Sequence, residues 1–332
     1  MKHKILGVLY GMAIGDAMGM PPELWSRKRI LEKYGEITDF LDGDPENEIS
    51  FQYKRGNFTD DTSQAITILD SLIETDFQAD SSNIAGHILA WAKKENAFEN
   101  NILGPTSKIT LELFEKGESA KEYSDQALSN GAAMRIPPVG ALFRPDQKRE
   151  LCDYVKLVSQ ITHSSDITLA GACMVAEGVA SAMEKEDRDA MIRDILSVEE
   201  YAMSLGASTV SASLGTRICY GVELAHRYPD NRDAFLEALY NMFGAGVNTV
   251  DSVPCAIAAA YYCFGDVHKT ALACTNLGGD TDTIGAMACA IAGGVRGVAG
   301  IPAADVALIQ KANHVDFEKY ADAILEKRGC VR

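Results

Sequence analysis

Positive charge is what this 332-residue sequence has least of: 31 Lys and Arg stand against 47 Asp and Glu, for a formal net charge of −16. That balance excludes a sequence-independent grip on nucleic acid, which needs cations clustered against phosphates. It gives no hold on an anionic membrane surface either. The acidic excess contains no block of like charge; spread out, it serves solubility, and part of it is free to converge on a cation. Long apolar runs are also lacking. The uncharged stretch from Ser252 to Gly265 falls short of the roughly 18 residues that a bilayer span needs. The N-terminal Met1-Lys2-His3-Lys4 and the apolar residues after it reach Asp16 without an A-x-A-like cleavage site. A cytoplasmic protein with no nucleic-acid or membrane partner is expected. The eight cysteines (152, 173, 219, 255, 263, 274, 289 and 330) include no C-x-x-C pair and mostly sit among Ala, Val, Ile and Met. They read as small core hydrophobes rather than disulfides or zinc ligands.

Alternating β-branched runs are nearly absent, and helical periodicity dominates. Helices are expected over about 4–18, 61–75, 82–95, 106–117, 148–161, 166–184, 205–227, 250–264, 282–296 and 302–312, with stop signals such as Gly104-Pro105 and Pro137-Pro138 between them. Residues 34–55 are polar, aperiodic and rich in Gly, Asp and Glu; they read as a surface flap with a short strand near Ile49 to Tyr53. No linker or repeat divides the chain, so one all-α domain over residues 1–332 is expected. Gly7, Gly11, Gly15 and Gly19 recur on one face of the first helix, and residues 285–294 present little bulk on any face. Both patterns permit close helix packing.

Two segments carry chemistry. Thr59-Asp60-Asp61-Thr62 precedes an amphipathic helix. Asp and Thr are ordinary helix caps, but a cap needs one side chain, and here two carboxylates and two hydroxyls are adjacent. Gly278-Gly279-Asp280-Thr281-Asp282-Thr283 stands at the mouth of another helix, where the glycines allow a tight turn that brings Asp280 and Asp282 to one side. If the segments meet, four carboxylates share one pocket, and unpaired like charges would force their pKa values up. Divalent cations are the simpler solution. All-oxygen ligands select Mg²⁺, Mn²⁺ or Ca²⁺ over zinc, and four Asp suggest two ions. Ser129-Asn130-Gly131 suits contacts to phosphate or ribose oxygens as well as it suits a plain helix-entry turn.

Together, the run Gly11 to Gly19 containing Asp16, Glu23, Thr59 to Thr62, Asn130-Gly131-Ala132-Ala133-Met134-Arg135, Thr162-His163 and Gly278 to Thr283 resemble the ADP-ribosylglycohydrolase family, in family order and across nearly the whole chain. The resemblance implies an all-α, compact single-domain fold with a cleft holding two Mg²⁺ or Mn²⁺ ions. It implies Thr59, Asp60, Asp61, Asp280, Asp282 and Thr283 as metal residues, and Glu23, Asp61 and Asp282 as catalytic residues. Asp16, Ser129, Asn130, Gly131 and His163 would bind substrate.

The expected activity is that of a glycosidase: metal-dependent hydrolysis of a ribosyl glycosidic bond, removing ADP-ribose from a protein or a small-molecule adduct. Leu128 stands where relatives that cleave ADP-ribose often carry an aromatic residue. That departure keeps open an N-riboside hydrolase of a nucleoside-like metabolite. A catalytically silent ligand-binding or structural member of the family is the reading from another class, against which the full acidic set argues. Oligomeric state is left open.

Overall fold

A helix with glycine at every fourth position has one face without side chains, and only another backbone can approach it fully. In the computed structural model, which describes residues 1–100 and 102–330, that face of α1 (Lys2–Gly19) lies antiparallel against α16 (Thr281–Arg296). A Cβ at Gly7 would overlap the carbonyl oxygen of Gly293, one at Gly11 that of Cys289, one at Gly15 that of Gly285, and one at Gly19 that of Thr281. The contact is reciprocal: a Cβ on Gly285 or Gly293 would overlap the oxygen of Gly15 or Gly7. The glycine stripe and the small-residue helix are therefore two halves of one contact.

Around this pair the described residues form α2 (Arg27–Tyr34), α3 (Asp60–Glu74), α4 (Ser81–Lys94), α5 (Pro105–Glu115), α6 (Lys121–Asp125), α7 (Pro137–Gly140), α8 (Lys148–Ser159) and α9 (Asp166–Glu184). There follow α10 (Arg188–Ser197), α11 (Glu199–Met203), α12 (Leu214–Arg227), α13 (Arg232–Phe243), α14 (Thr249–Tyr262), α15 (Val267–Thr275), α17 (Ala303–Asn313) and α18 (Phe317–Cys330). Extended pairing among the described residues is limited to isolated bridges, so the fold is all-α. Helices α9, α14 and α16 pack together in the core. By length and hydropathy α9 could cross a membrane, yet its apolar window is wholly buried inside the protein. Of the described cysteines, Cys152, Cys173, Cys255, Cys274 and Cys289 are buried free thiols, Cys263 is half-buried and Cys219 exposed; the side chain of Cys330 lies outside the described residues.

Two expectations need correction. The helix foreseen over 205–227 starts only at Leu214, where Ser213 caps it by accepting from Thr216 N. The preceding Ser/Thr-rich stretch is drawn off by Asp166, whose carboxylate accepts from Thr209 N at 3.0 Å and Thr209 Oγ1 at 2.6 Å. The strand foreseen near Ile49 to Tyr53 is a set of turns. Asn47 Oδ1 accepts from Ile49 N at 3.0 Å, and Tyr53 N donates to Ser50 O at 2.9 Å, so local partners take the groups that a ladder would use. Helices α10, α13 and α15 went unforeseen although Asp187, Asn231 and Asp266 cap them with side-chain hydrogen bonds.

The α1–α16 contact predicts opposite outcomes for two glycine substitutions. Gly15→Ala should destabilise the protein by at least about 1–3 kcal/mol, because backbone must move on both helices. Gly86→Ala, in α4 with open space around its Cα, should stabilise it by about 0.5–1 kcal/mol. Urea midpoints would check both; a Gly15→Ala protein of unchanged midpoint would contradict the packing.

Candidate functional site

An α-helix begins with unpaired N–H groups, and an acidic residue at its start ordinarily turns back to cap them. At α3 the cap comes from elsewhere. Asp16, fully buried on α1, accepts from Thr59 N (2.8 Å) and Thr59 Oγ1 (2.9 Å) through Oδ1, and from Thr62 N (3.0 Å) and Thr62 Oγ1 (2.6 Å) through Oδ2. Asp60 and Asp61 are thereby released from capping. Asp60 Oδ2 accepts from Gln64 Nε2 at 2.8 Å, one turn along, and Asp61 Oδ2 lies 3.1 Å from Thr59 Oγ1.

The second acidic segment is held by backbone. Gly278 and Gly279 have φ of +86° and +82°, and a Cβ on Gly279 would overlap the Ala245 carbonyl. Gly279 exchanges hydrogen bonds of 2.8 Å with Leu24 N and Trp25 O, which brings Glu23 beside the turn. Thr275 Oγ1 and Thr281 Oγ1 donate to Met18 O and Gly19 O, the free carbonyls at the end of α1. The start of α16 is thus tied to the end of α1, and α1 carries the cap of α3.

The two segments meet. One oxygen each of Asp16, Asp61 and Asp282 lies within 4.8 Å of the others, and so does one each of Glu23, Asp280 and Asp282. Asp282 belongs to both groups. Burial raises every one of these carboxyls: Asp16 to about 6, Asp60 to about 7 with Asp16 adding repulsion, and Asp280 to about 6 against a hydrogen bond from Asn130. Asp61, Asp282 and Glu23 are pushed well above the carboxylate range, by burial first and then by their acidic neighbours. Asp61 Oδ1 and Asp282 Oδ1 are buried with no hydrogen-bond partner. Buried, partnerless carboxylate oxygens facing like charge are costly unless a cation takes them, so this oxygen-only donor set fits hard divalent ions.

A cavity of about 370 Å³ opens over these carboxylates. Glu23, Thr59, Asp60, Asp61, Ser129, Asn130, Gly131, Asp280, Asp282 and Thr283 all reach its wall. The 128–130 loop is pinned to the start of α14 by Asn130 N to Val247 O (2.9 Å) and Thr249 N to Leu128 O (2.8 Å). Asn130 Nδ2 donates to Ser252 Oγ and Asp280 Oδ2, so this side chain braces a carboxylate.

Two residues expected to bind substrate are placed behind the wall. Asp16 spends all its hydrogen-bonding capacity on α3, and His163, 1% exposed, lies under the loop with Nε2 3.0 Å from Ser129 Oγ. Gly131 leaves room for that imidazole, since a Cβ there would come within 2.7 Å of His163 Cε1. Tyr53, Gln64 and Met134 also line the cavity, with Leu24, Ile49, Ile102 and Val247 at its apolar side. Gln64 was findable as the i+4 neighbour of Asp60, and Met134 lies within the Asn130 to Arg135 motif; nothing local marks Tyr53.

A sequence model of the ADP-ribosylglycohydrolase family matches residues 1–331. The chain is 42% identical over 326 residues to YegU, an uncharacterized protein of Escherichia coli K12, covering 98% of this chain and 97% of that one. It is 25% identical over 330 residues to the ADP-ribosyl-[dinitrogen reductase] glycohydrolase of Rhodospirillum rubrum, covering 98% and 97%. A solved structure described as an ADP-ribosylglycohydrolase-related protein complex superposes with a TM-score of 0.71 at 21% identity, covering 98% of both chains, which shows a shared fold.

The raised carboxyls predict how stability depends on pH and cations. Asp16, Asp60 and Asp280 titrate near 6 to 7 in the folded chain against 3.8 for an ordinary Asp, so between these values the folded state holds more protons than the unfolded. Stability must therefore fall as pH rises through that window. In chelator, Tm should drop between about pH 5 and pH 8, and Mg²⁺ or Mn²⁺ should restore it most at the higher pH. Thermal melts in both buffers check this; a cation effect equal at both ends would contradict it.

Proposed function

Because the chain belongs to the ADP-ribosylglycohydrolase family, whose members are glycosidases, we propose that it hydrolyses a ribosyl glycosidic bond with two divalent cations, Mg²⁺ or Mn²⁺, releasing ADP-ribose from a protein or small-molecule adduct. The observation that carries this reading is Asp282, which stands in one acidic group with Asp61 and in another with Asp280 while its Oδ1 and that of Asp61 have no hydrogen-bond partner, an arrangement that suits a ligand shared between two ions. The name of the Rhodospirillum rubrum relative, a glycohydrolase of ADP-ribosylated dinitrogen reductase, supports an ADP-ribosyl substrate.

Thr59, Asp60, Asp61, Asp280, Asp282 and Thr283 would hold the ions, with the free Oδ1 atoms of Asp61 and Asp282 as the clearest donors. Bound there, the ions would supply Lewis acidity toward the sugar hydroxyls and the attacking water. The protein's own groups do the rest. The surrounding carboxylates set a negative potential that favours the positive charge developing on an oxocarbenium-like sugar. Glu23, partly exposed at the cavity edge and raised by burial above an ordinary glutamate, would protonate the departing group. Tyr53 keeps its phenolic proton, since burial opposes ionisation, and can donate it to a ligand oxygen. Ile49 and Tyr53 of the 34–55 segment line the cavity, which supports a flap over bound substrate there.

A second reading rests on the cavity rim. Leu24, Ile49 and Val247 line it, Leu128 is exposed nearby, and Tyr53 is the aromatic residue among the described lining residues. A rim of aliphatic side chains offers little stacking to an adenine held beyond the ribose, which favours a riboside without the ADP half.

Incubation with ADP-ribosyl-arginine protein, O-acetyl-ADP-ribose and a nucleoside panel in Mg²⁺ or Mn²⁺ decides between the readings. ADP-ribose release from one of the first two is expected. Asp61→Asn and Asp282→Asn should each cut that activity by at least about 100-fold and weaken cation binding, since loss of mere supporting partners already costs 10–100-fold. Unchanged turnover in cation-replete buffer would sink the metal assignment.

A further inference from the structure

Arg135 is buried beneath the cavity, 1% exposed, and makes no ion pair among the described residues. Its two terminal nitrogens each start a hydrogen-bonded chain. Nη1 donates to Gln64 Oε1 at 2.5 Å and Nη2 to Thr162 Oγ1. A guanidinium only donates, so both receiving atoms must accept, and this fixes the direction of everything downstream.

On one side, Gln64 has its carbonyl oxygen committed to Arg135, which turns its NH₂ to Asp60 Oδ2 at 2.8 Å. Asp60 is held there as an acceptor. On the other side, Thr162 Oγ1 accepts from Arg135, and its single proton has two destinations: His163 Nδ1 at 2.9 Å or Ser159 O at 3.4 Å. At 3.4 Å the carbonyl contact is the weaker of the two, which favours His163 Nδ1 as the acceptor. With Nδ1 accepting, the neutral imidazole would carry its proton on Nε2, 3.0 Å from Ser129 Oγ. Burial and the Arg135 charge hold His163 neutral, with its pKa down at about 3. Ser129 Oγ would then accept from His163, and its own proton has no other partner among the described residues while the residue lines the cavity.

We infer that Arg135 sets opposite hydrogen-bond polarity on the two walls of the cavity: through Gln64 it keeps Asp60 an acceptor toward cations, and through Thr162 and His163 it makes Ser129 a donor toward an acceptor oxygen of the ligand. Thr162 and His163 are positioning residues. The acceptor belongs to a phosphoryl group if the substrate is ADP-ribosyl, a point that rests on the function proposed above; the polarity itself does not.

Two measurements test it. In ligand-free protein labelled with ¹⁵N-histidine, the His163 ring, assigned by its loss in His163→Gln, should show the neutral Nε2–H pattern. An Nδ1–H or charged ring overturns the inference. Then ADP-ribose binding in Mg²⁺ is measured by calorimetry for wild type, Ser129→Ala, Thr162→Val and the double variant. Each single variant should bind about tenfold more weakly, the double variant no more weakly than Ser129→Ala, and Thr162→Ser should bind as wild type does. Losses that multiply in the double variant would show that Thr162 acts only structurally, and overturn the inference. If wild type does not bind ADP-ribose, the substrate assignment fails while the ring tautomer still decides the polarity, and it does so too if Thr162→Val does not fold.

Discussion

The site depends on the direct contact between the backbones of α1 and α16. Side chains between helices are compliant, since rotamers can shift to absorb a change, but a carbonyl against a Cα has almost no slack. Gly7, Gly11, Gly15 and Gly19 bring α1 to that distance, and Thr275 and Thr281 then close over its last carbonyls. Asp16 travels with α1 and holds the start of α3, whereas Asp280 and Asp282 travel with the start of α16. Three helix ends, far apart in the chain, are thus located by one interface in which glycine lets backbone meet backbone.

The acidic cluster exists because hydrogen-bonding duties are reassigned. A carboxylate at a helix start is normally consumed by its own N–H groups. Here one buried carboxylate from another helix performs that task for α3, and two are left over for chemistry. At α16 the Gly278-Gly279 turn does the corresponding work with backbone, pinning residues 24 and 25 and keeping Glu23 near Asp282. Burial raises the pKa of every carboxyl present, and acidic neighbours push Glu23, Asp60, Asp61 and Asp282 up further, which is the physical sign of a site that suits positive charge.

Much of this was legible in the sequence because its signals are local. Paired Asp beside Thr at two helix starts, glycines spaced by four, and the small-residue run in α16 each state their role within a dozen residues. The boundaries of α9 could be read outright as Asp166 to Glu184, where a cap precedes a long apolar stretch. What could not be read was set by distant partners. Nothing around Asp16 says that it caps a helix more than forty residues away, and nothing around His163 says that Gly131 makes room for its ring under a loop. The 205–213 stretch misled for the same reason, since Asp166 on α9 competes for its backbone. Tyr53 enters the cavity through turns that Asn47 and Ser50 organise, not through the strand its neighbours suggest.

A glycine interlock between two helices also has a register, and the register is discrete. Helix surfaces repeat about every 5.4 Å, one turn, so α1 and α16 can mesh in the observed alignment or a full turn away, with a clash between. Evolution cannot therefore adjust the spacing of Asp16 and Asp282 by tenths of an ångström through this interface; it can only keep the alignment or lose it. Variation is forced outward, onto the cavity rim and the loop that carries Ser129, where altering a side chain changes what is bound without moving the carboxylates.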